Sequence, residues 1–247
     1  KHYGAVRAVD SVSFQVAAGN VTGFLGRNGA GKSTTIKMLL GMIRPTAGWA
    51  TVFGRRCDQA AGSIEIRRRL AYVGEDKGLY PYMTVAQLIR FTRSFYNDWS
   101  PDVEQRLLRQ YGLPLQRKVK ALSKGMRTKL ALLLALARRP ALLMLDEPTE
   151  GLDPVSTEEL LRALAGATTE GTAVFFSSHQ LSEVERIADD IVMIDQGRLA
   201  MQVSMDDLRA EYRWVNAGFD TVPSAGDFRV PGVEQVRTAG RQVTALV

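Results

Sequence analysis

The stretch Gly26-Arg27-Asn28-Gly29-Ala30-Gly31-Lys32-Ser33-Thr34 constrains this chain more than any other. It satisfies the phosphate-loop pattern G-x-x-x-x-G-K-[ST] at every fixed position. Closely spaced glycines let the backbone curl around an anion, so that several N–H groups point inward. A helix that starts inside the loop aims the positive end of its dipole at the same anion. Lys32 is placed to reach the outer phosphates, and the Ser33 hydroxyl to ligate Mg²⁺. The context agrees: Val21-Thr22-Gly23-Phe24-Leu25 reads as a buried strand, and residues 33–40 read as a helix ending near Gly41. A loop of this kind between a strand and a helix argues against a plain glycine turn and for a nucleoside triphosphate site.

A chain of 247 residues, 45% of them apolar, suffices for one large α/β domain and a small appendage. The net charge of +6 is spread over short clusters such as Arg55-Arg56, Arg67-Arg68-Arg69 and Arg138-Arg139, without interleaved aromatics, so no direct nucleic-acid contact is expected. Cys57 is the only cysteine, which excludes an intrachain disulfide and fits a reducing compartment. No signal peptide is visible, and the apolar stretch 131–137 is far too short to cross a bilayer. Any membrane spanning would therefore fall to another subunit. The chain opens on Lys1, and the expectation is a fragment or processed chain that lacks the first strand of its fold.

Along the chain, residues 12–16 alternate like a half-exposed strand, 46–54 read as a turn and a strand, 65–69 as a short basic helix and 70–73 as a strand. The pattern then turns helical. Val85, Leu88, Ile89, Phe91 and Phe95 recur at helical spacing. Ser100-Pro101 reads as a cap and first turn, with Gly112 and Pro114 as stops, and a third helix runs from about Ser123 to before Pro140. These three helices predict a helical subdomain, about 84–139, inserted into the α/β core. Strands resume at 141–145, a continuous apolar run expected of a strand buried on both faces. Asp153-Pro154 opens a helix, 172–177 is a strand, 183–189 a helix, and 191–195 with 198–201 a hairpin about Gln196-Gly197. Residues 206–212 read as a helix. Beyond Ala217 the strand signals are weak at best, so 206–247 reads as a small, truncated appendage to a main domain of residues 1–205.

Asp146-Glu147 follows a buried strand directly, at the end of a parallel sheet where ligands bind. An aspartate there suits Mg²⁺, and the next carboxylate suits orienting and deprotonating a water. His179 ends the following strand and falls at the same edge, within reach of a terminal phosphate or an attacking water. His2 is read as structural.

At this point the chain resembles the nucleotide-binding subunit of ATP-binding cassette (ABC) transporters, over roughly residues 1–205. The resemblance rests on the order and spacing of 26–34, Leu122-Ser123-Lys124-Gly125-Met126, 142–148, Gly151-Leu152-Asp153 and Ser178-His179. It implies an α/β, P-loop NTPase fold with a mixed, largely parallel sheet core and an inserted helical subdomain. The implied activity is ATP hydrolysis with Mg²⁺ as the metal, on the cytoplasmic face of a membrane. The implied partners are transmembrane permease subunits and a second nucleotide-binding subunit, identical or paralogous. The resemblance makes Glu147 the catalytic base, Lys32 and His179 its catalytic companions, and Ser33, Glu75 and Asp146 the metal ligands. It makes Tyr3 the adenine-stacking aromatic and Asp153 the residue that couples two sites. Ser123, Lys124, Gly125 and Met126 become a signature segment that contacts ATP held by the opposite subunit, so that ATP itself stabilises the dimer.

Two departures from the family pattern stand out. The usual Leu-Ser-Gly-Gly-Gln signature reads Leu-Ser-Lys-Gly-Met here, which keeps the hydroxyl of Ser123 and the close approach allowed by Gly125 but loses a polar contact at Met126. Glu75 stands where the family usually has glutamine, a charged and harder oxygen ligand for a divalent cation. With 74–84 and Phe95-Tyr96-Asn97-Asp98-Trp99, both departures resemble a bacterial subgroup of drug, peptide or antibiotic exporter ATPases. The alternatives are a soluble ABC-type ATPase acting on ribosomes or DNA, and a regulatory module that holds ATP without turning it over.

Overall fold

The computed structural model describes residues 1–222 and 234–246. They fall into two compact units, residues 1–202 and 203–247. In the first unit the chain opens with a hairpin, β1 (His2–Tyr3) and β2 (Val6–Arg7), before the central strand β3 (Val21–Leu25) and helix α1 (Lys32–Leu39). A small ribbon, β4 (Thr51–Val52) and β5 (Arg55–Arg56), precedes α2 (Ala60–Arg69) and β6 (Leu70–Val73). Three helices follow: α3 (Val85–Arg93), α4 (Pro101–Tyr111) and α5 (Lys124–Leu136). The sheet is then completed by β7 (Leu142–Leu145), α6 (Pro154–Thr169), β8 (Ala173–Ser178), α7 (Leu181–Ile187), β9 (Asp190–Asp195) and β10 (Arg198–Ser204).

Strand order is β10-β9-β3-β8-β7-β6, and β9, β3, β8, β7 and β6 run parallel. β9 turns into β10 at Gln196-Gly197, whose φ values of 47° and 79° are those a two-residue hairpin turn demands. The parallel strands are mostly apolar and mostly buried, as strands packed on both faces should be, with Thr22, Ser177 and Ser178 the fully buried polar residues among them. Phe14, Phe24 and Phe175 stack at 5.2–6.0 Å between centroids, over a core that includes Ile36, Ile66, Leu70, Met144 and Val192. Each such side chain, fully buried, stabilises the fold by about 1.5–3 kcal/mol.

Local chemistry sets the helix ends. Thr84 and Gln87 form a reciprocal capping box at α3. The Ser100 hydroxyl caps α4 with Pro101 in its first turn, and Gly112 closes it in the left-handed region. Among the described residues no helix is long and apolar enough to cross a membrane.

Apart from the helix read at 65–69, which begins at Ala60, two sequence expectations are corrected. Residues 12–16 form no ladder: the Gln15 N–H donates to Gln202 Oε1 and the Gln15 carbonyl accepts from Gln202 Nε2. The half-exposed alternation is there, with Phe14 turned to the core, but a side chain satisfies the backbone instead of a strand. The stretch beyond Ala217 is the second correction. In the second unit, α8 (Met205–Glu211) precedes β11 (Trp214–Gly218), β12 (Gln235–Ala239) and β13 (Gln242–Leu246). These strands form an antiparallel sheet with β13 in the middle, burying Val243 and Ala245. Each strand carries too few apolar residues to announce itself; pairing across the sequence makes them strands. Residues 223–233 of the expected appendage lie outside the described residues.

Candidate active site

Parallel pairing brings four strand ends to one edge. Leu25 is in register with Ser178 and Val73 with Leu145, so Gly26, Glu75, Asp146 and His179 all emerge there. Two backbone bonds tie the exits together: Gly26 N–H to the Ser178 carbonyl at 3.3 Å, and Asp146 N–H to the Val73 carbonyl at 3.0 Å.

The phosphate loop wraps the first turn of α1. Gly31 has φ 105°, and a Cβ there would fall 2.4 Å from the Ala8 carbonyl oxygen, so only glycine fits. A cleft of about 360 Å³ opens over the loop, lined by Ala8, Asn28, Gly29, Gly31, Lys32, Ser33, Thr34, Glu75, Glu147 and Glu150. Lys32 is only 5% exposed. Its ammonium donates to the carbonyls of Gly26 at 2.7 Å and Arg27 at 3.3 Å, and lies 2.9 Å from Glu147 Oε1. Ala30 closes the loop by donating its N–H to the Arg27 carbonyl.

Opposite the loop, Ser177 organises the acidic pair. Its hydroxyl donates to Asp146 Oδ1 at 2.7 Å and accepts the Glu147 N–H at 2.9 Å. That bond holds Glu147 at φ 45°, an uncommon conformation for a side chain of this size, which turns its carboxylate away from Asp146 and toward the loop. Glu147 Oε2 lies 3.0 Å from His179 Nδ1. A carboxylate can only accept, so the proton of that bond sits on Nδ1. Glu150, in the same turn, lies 3.9 Å from the same nitrogen.

The buried Glu183 fastens the two segments behind this cluster. Its Oε2 accepts from the hydroxyls of Thr149 at 2.8 Å and Ser178 at 2.7 Å. These are the neighbours of Glu150 and His179. Lys77 closes the other side: its ammonium reaches the Pro148 carbonyl at 3.5 Å. Burial, then the charge of Lys124, lowers its pKa to about 8.

A divalent cation fits the donors at hand. Ser33 and Glu75 line the cleft, and the buried Asp146 directly precedes the cleft residue Glu147: a hydroxyl and two carboxylates, the hard oxygens that Mg²⁺ takes. The Tyr72 phenol registers this field: burial, then the charges of Asp146, Glu75 and Asp76, push its pKa up to about 12.

Other expected site residues stand outside the cleft. Tyr3 is half exposed on the first hairpin, with the Lys1 ammonium 5.0 Å from its ring centre. Ser123 caps α5 by accepting the Met126 N–H at 3.2 Å. Gly125 packs on α6, where an added Cβ would fall 2.7 Å from Ser156 Oγ, and the Lys124 ammonium lies against Gly151. Asp153 caps α6, and the hydroxyl and amide of Ser156 lower its pKa. The segments Ser123–Met126 and Gly151–Asp153 thus contact each other, and neither lines the cleft.

Sequence reasoning missed Ser177, Glu150, Glu183 and Lys77. Only Glu183 carried a usable signal, standing four residues after His179 in the first turn of a helix.

The family model for "ABC transporter" matches residues 9–150. The chain belongs to that family. This ABC ATPase is 37% identical to the bacitracin transport ATP-binding protein BcrA of Bacillus licheniformis, over 86% of this chain and 70% of the relative. It is 36% identical to the daunorubicin/doxorubicin resistance ATP-binding protein DrrA of Streptomyces peucetius, over 85% of this chain and 64% of that relative. A solved ATP-binding subunit of an ABC transporter superposes with a TM-score of 0.73 at 33% identity, covering 83% of this chain and 86% of that one. These likenesses bear out the P-loop α/β fold and the exporter-type resemblance. ATP is the nucleotide that the family binds and hydrolyses.

Proposed function

We propose that this ABC ATPase drives export by a separate membrane permease, hydrolysing ATP in a sandwich of two chains with Mg²⁺ bound. The observation that carries the reading is the position of Glu147, its carboxylate held between Lys32 and His179 at the mouth of the phosphate loop. The loop N–H groups and Lys32 neutralise the phosphates, and Glu147 takes a proton from the attacking water as the new P–O bond forms and ADP leaves. With its proton on Nδ1, His179 offers Nε2 as an acceptor to the attacking water, and only the doubly protonated ring would donate to the terminal phosphate. Ser33, Glu75 and Asp146 would hold Mg²⁺, which supplies charge neutralisation when bound.

Two features support the partners. Ser123, Gly125 and Asp153 lie outside the chain's own cleft, which suits residues that serve ATP bound by a second subunit. Just beyond Glu75, Tyr80, Tyr82, Phe91 and Phe95 form an exposed aromatic cluster with ring centres 5.0–5.9 Å apart, on the helical subdomain assigned to residues 84–139 and the loop before it. Exposed apolar surface of this kind marks a protein contact, here the permease. The exported compound is of the drug, peptide or antibiotic class.

Glu147→Gln tests the reading. The variant is expected to bind ATP normally and lose at least about 100-fold in turnover. Purified from detergent-solubilised membranes with ATP, it should bring down a multi-span membrane protein. Wild-type turnover in the variant would remove Glu147 from its role, and recovery with ribosomal proteins alone would replace the transporter by the soluble ATPase.

A further inference from the structure

The carboxylate proposed as base is already engaged on both oxygens. Oε1 faces Lys32 at 2.9 Å and Oε2 faces His179 Nδ1 at 3.0 Å. Bound phosphates would draw Lys32 away and release Oε1. A turn of the Glu147 side chain that brings the carboxylate onto a water carries Oε2 away from His179 and leaves its Nδ1–H without that acceptor, and a ring without that bond is free to rotate. The Glu147 backbone cannot follow the water, because the Ser177 hydroxyl pins its N–H. Only its side-chain torsions move.

Glu150 supplies what is missing. Its N–H donates to the Glu147 carbonyl at 3.2 Å, so one tight turn presents both carboxylates. Its Oε2 stands 3.9 Å from His179 Nδ1, one small torsion short of a hydrogen bond, and its side chain, 46% exposed, has room to make that move. It lines the same cleft as Lys32 and Glu147.

We infer that Glu150 is a positioning residue that takes over the Nδ1–H of His179 when Glu147 turns to the attacking water, keeping the imidazole aimed through the catalytic step. The inference rests on the ATPase reading above and names a residue for it. Glu150 makes no contact with the reacting atoms; it acts through the histidine.

Two measurements test the hand-over. The first needs no turnover. His2 and His179 are the only histidines, so a His2→Gln chain shows a single imidazole in side-chain ¹⁵N spectra. In a Glu147→Ala chain, Glu150 is expected to be the Nδ1–H acceptor, and adding Glu150→Leu should move the Nδ1 resonance. An unmoved resonance overturns the proposal. The second is steady-state turnover. Glu150→Leu should lower kcat about three- to tenfold, the value of one modest hydrogen bond, with KM unchanged. Glu150→Gln, whose amide oxygen still accepts, should stay near wild type. In a His179→Ala chain the Glu150→Leu loss should vanish. The same loss in that background, or none in the wild type, refutes the role. If the wild-type chain shows no turnover, the ATPase reading fails, and the ring spectra still decide the contact.

Discussion

Replacing Glu183 by leucine tests whether the site is held from behind. Glu183 is 5% exposed, and its Oε2 accepts the hydroxyls of Thr149 and Ser178 at 2.8 and 2.7 Å. Leucine fills the volume and leaves both hydroxyls buried without that acceptor. A hydrogen bond to a carboxylate is worth about 1.5–3 kcal/mol, and a buried hydroxyl left unpaired costs about 1–3 kcal/mol. The Ser178 hydroxyl has a second acceptor, the Gln180 carbonyl at 3.4 Å, so its share falls at the low end. The expected loss is therefore about 2–4 kcal/mol in urea unfolding. For a domain of this size that is a fall in Tm of roughly 4–16 °C. Glu183→Gln keeps one acceptor and should lose about half as much. Because the bridge joins the residues beside Glu150 and His179, turnover of the folded leucine variant should fall while nucleotide affinity holds. A leucine variant within about 0.5 kcal/mol of wild type, the usual range of an inconsequential substitution, would refute the reasoning.

Two further substitutions probe the loop and its flank. Lys32→Ala removes three contacts of one ammonium, with the carbonyls of Gly26 and Arg27 and with Glu147. It should weaken ATP binding about 10- to 100-fold by fluorescence titration, and unchanged affinity would count against the loop. Lys77 has its folded pKa lowered to about 8 from an ordinary 10.5. Between those values the unfolded chain binds more protons than the folded one, so this group makes stability rise with pH from about 8 to 10.5 and flat below 8. Lys77→Met should remove that rise from the pH dependence of the urea midpoint, and an unaltered slope would show that burial does not set the Lys77 charge.

Much of the candidate site was legible because short-range chemistry writes it into adjacent residues. A loop that must cradle phosphate needs glycines and a lysine at fixed spacing, and a helix start needs a cap such as Ser100 or Asp153. Asp146-Glu147 could be placed at a sheet edge because a strand buried on both faces is a continuous apolar run. Glu150 and Lys77 were not legible, since a glutamate or lysine in a loop is most often solvated. Only packing brings one to a histidine 29 positions on and the other to the Pro148 carbonyl. The alternation at 12–16 looked like a strand because periodicity reports which side chains face the core, and not where the backbone finds its partners.

The sequence by itself determined the phosphate loop, the acidic pair, several helix caps and the class of fold, because each depends on residues within a few positions of one another. The tertiary structure decided which strand ends share an edge and therefore which carboxylate meets which cation. Parallel pairing of β6, β7, β8 and β3 is settled by contacts far apart in the chain, and it gathers Lys32, Glu75, Glu147 and His179 at one edge of the sheet. The same physics made a sheet of the unpromising strands at the end of the chain: a strand is stabilised by its neighbour, and the neighbour is chosen by the fold.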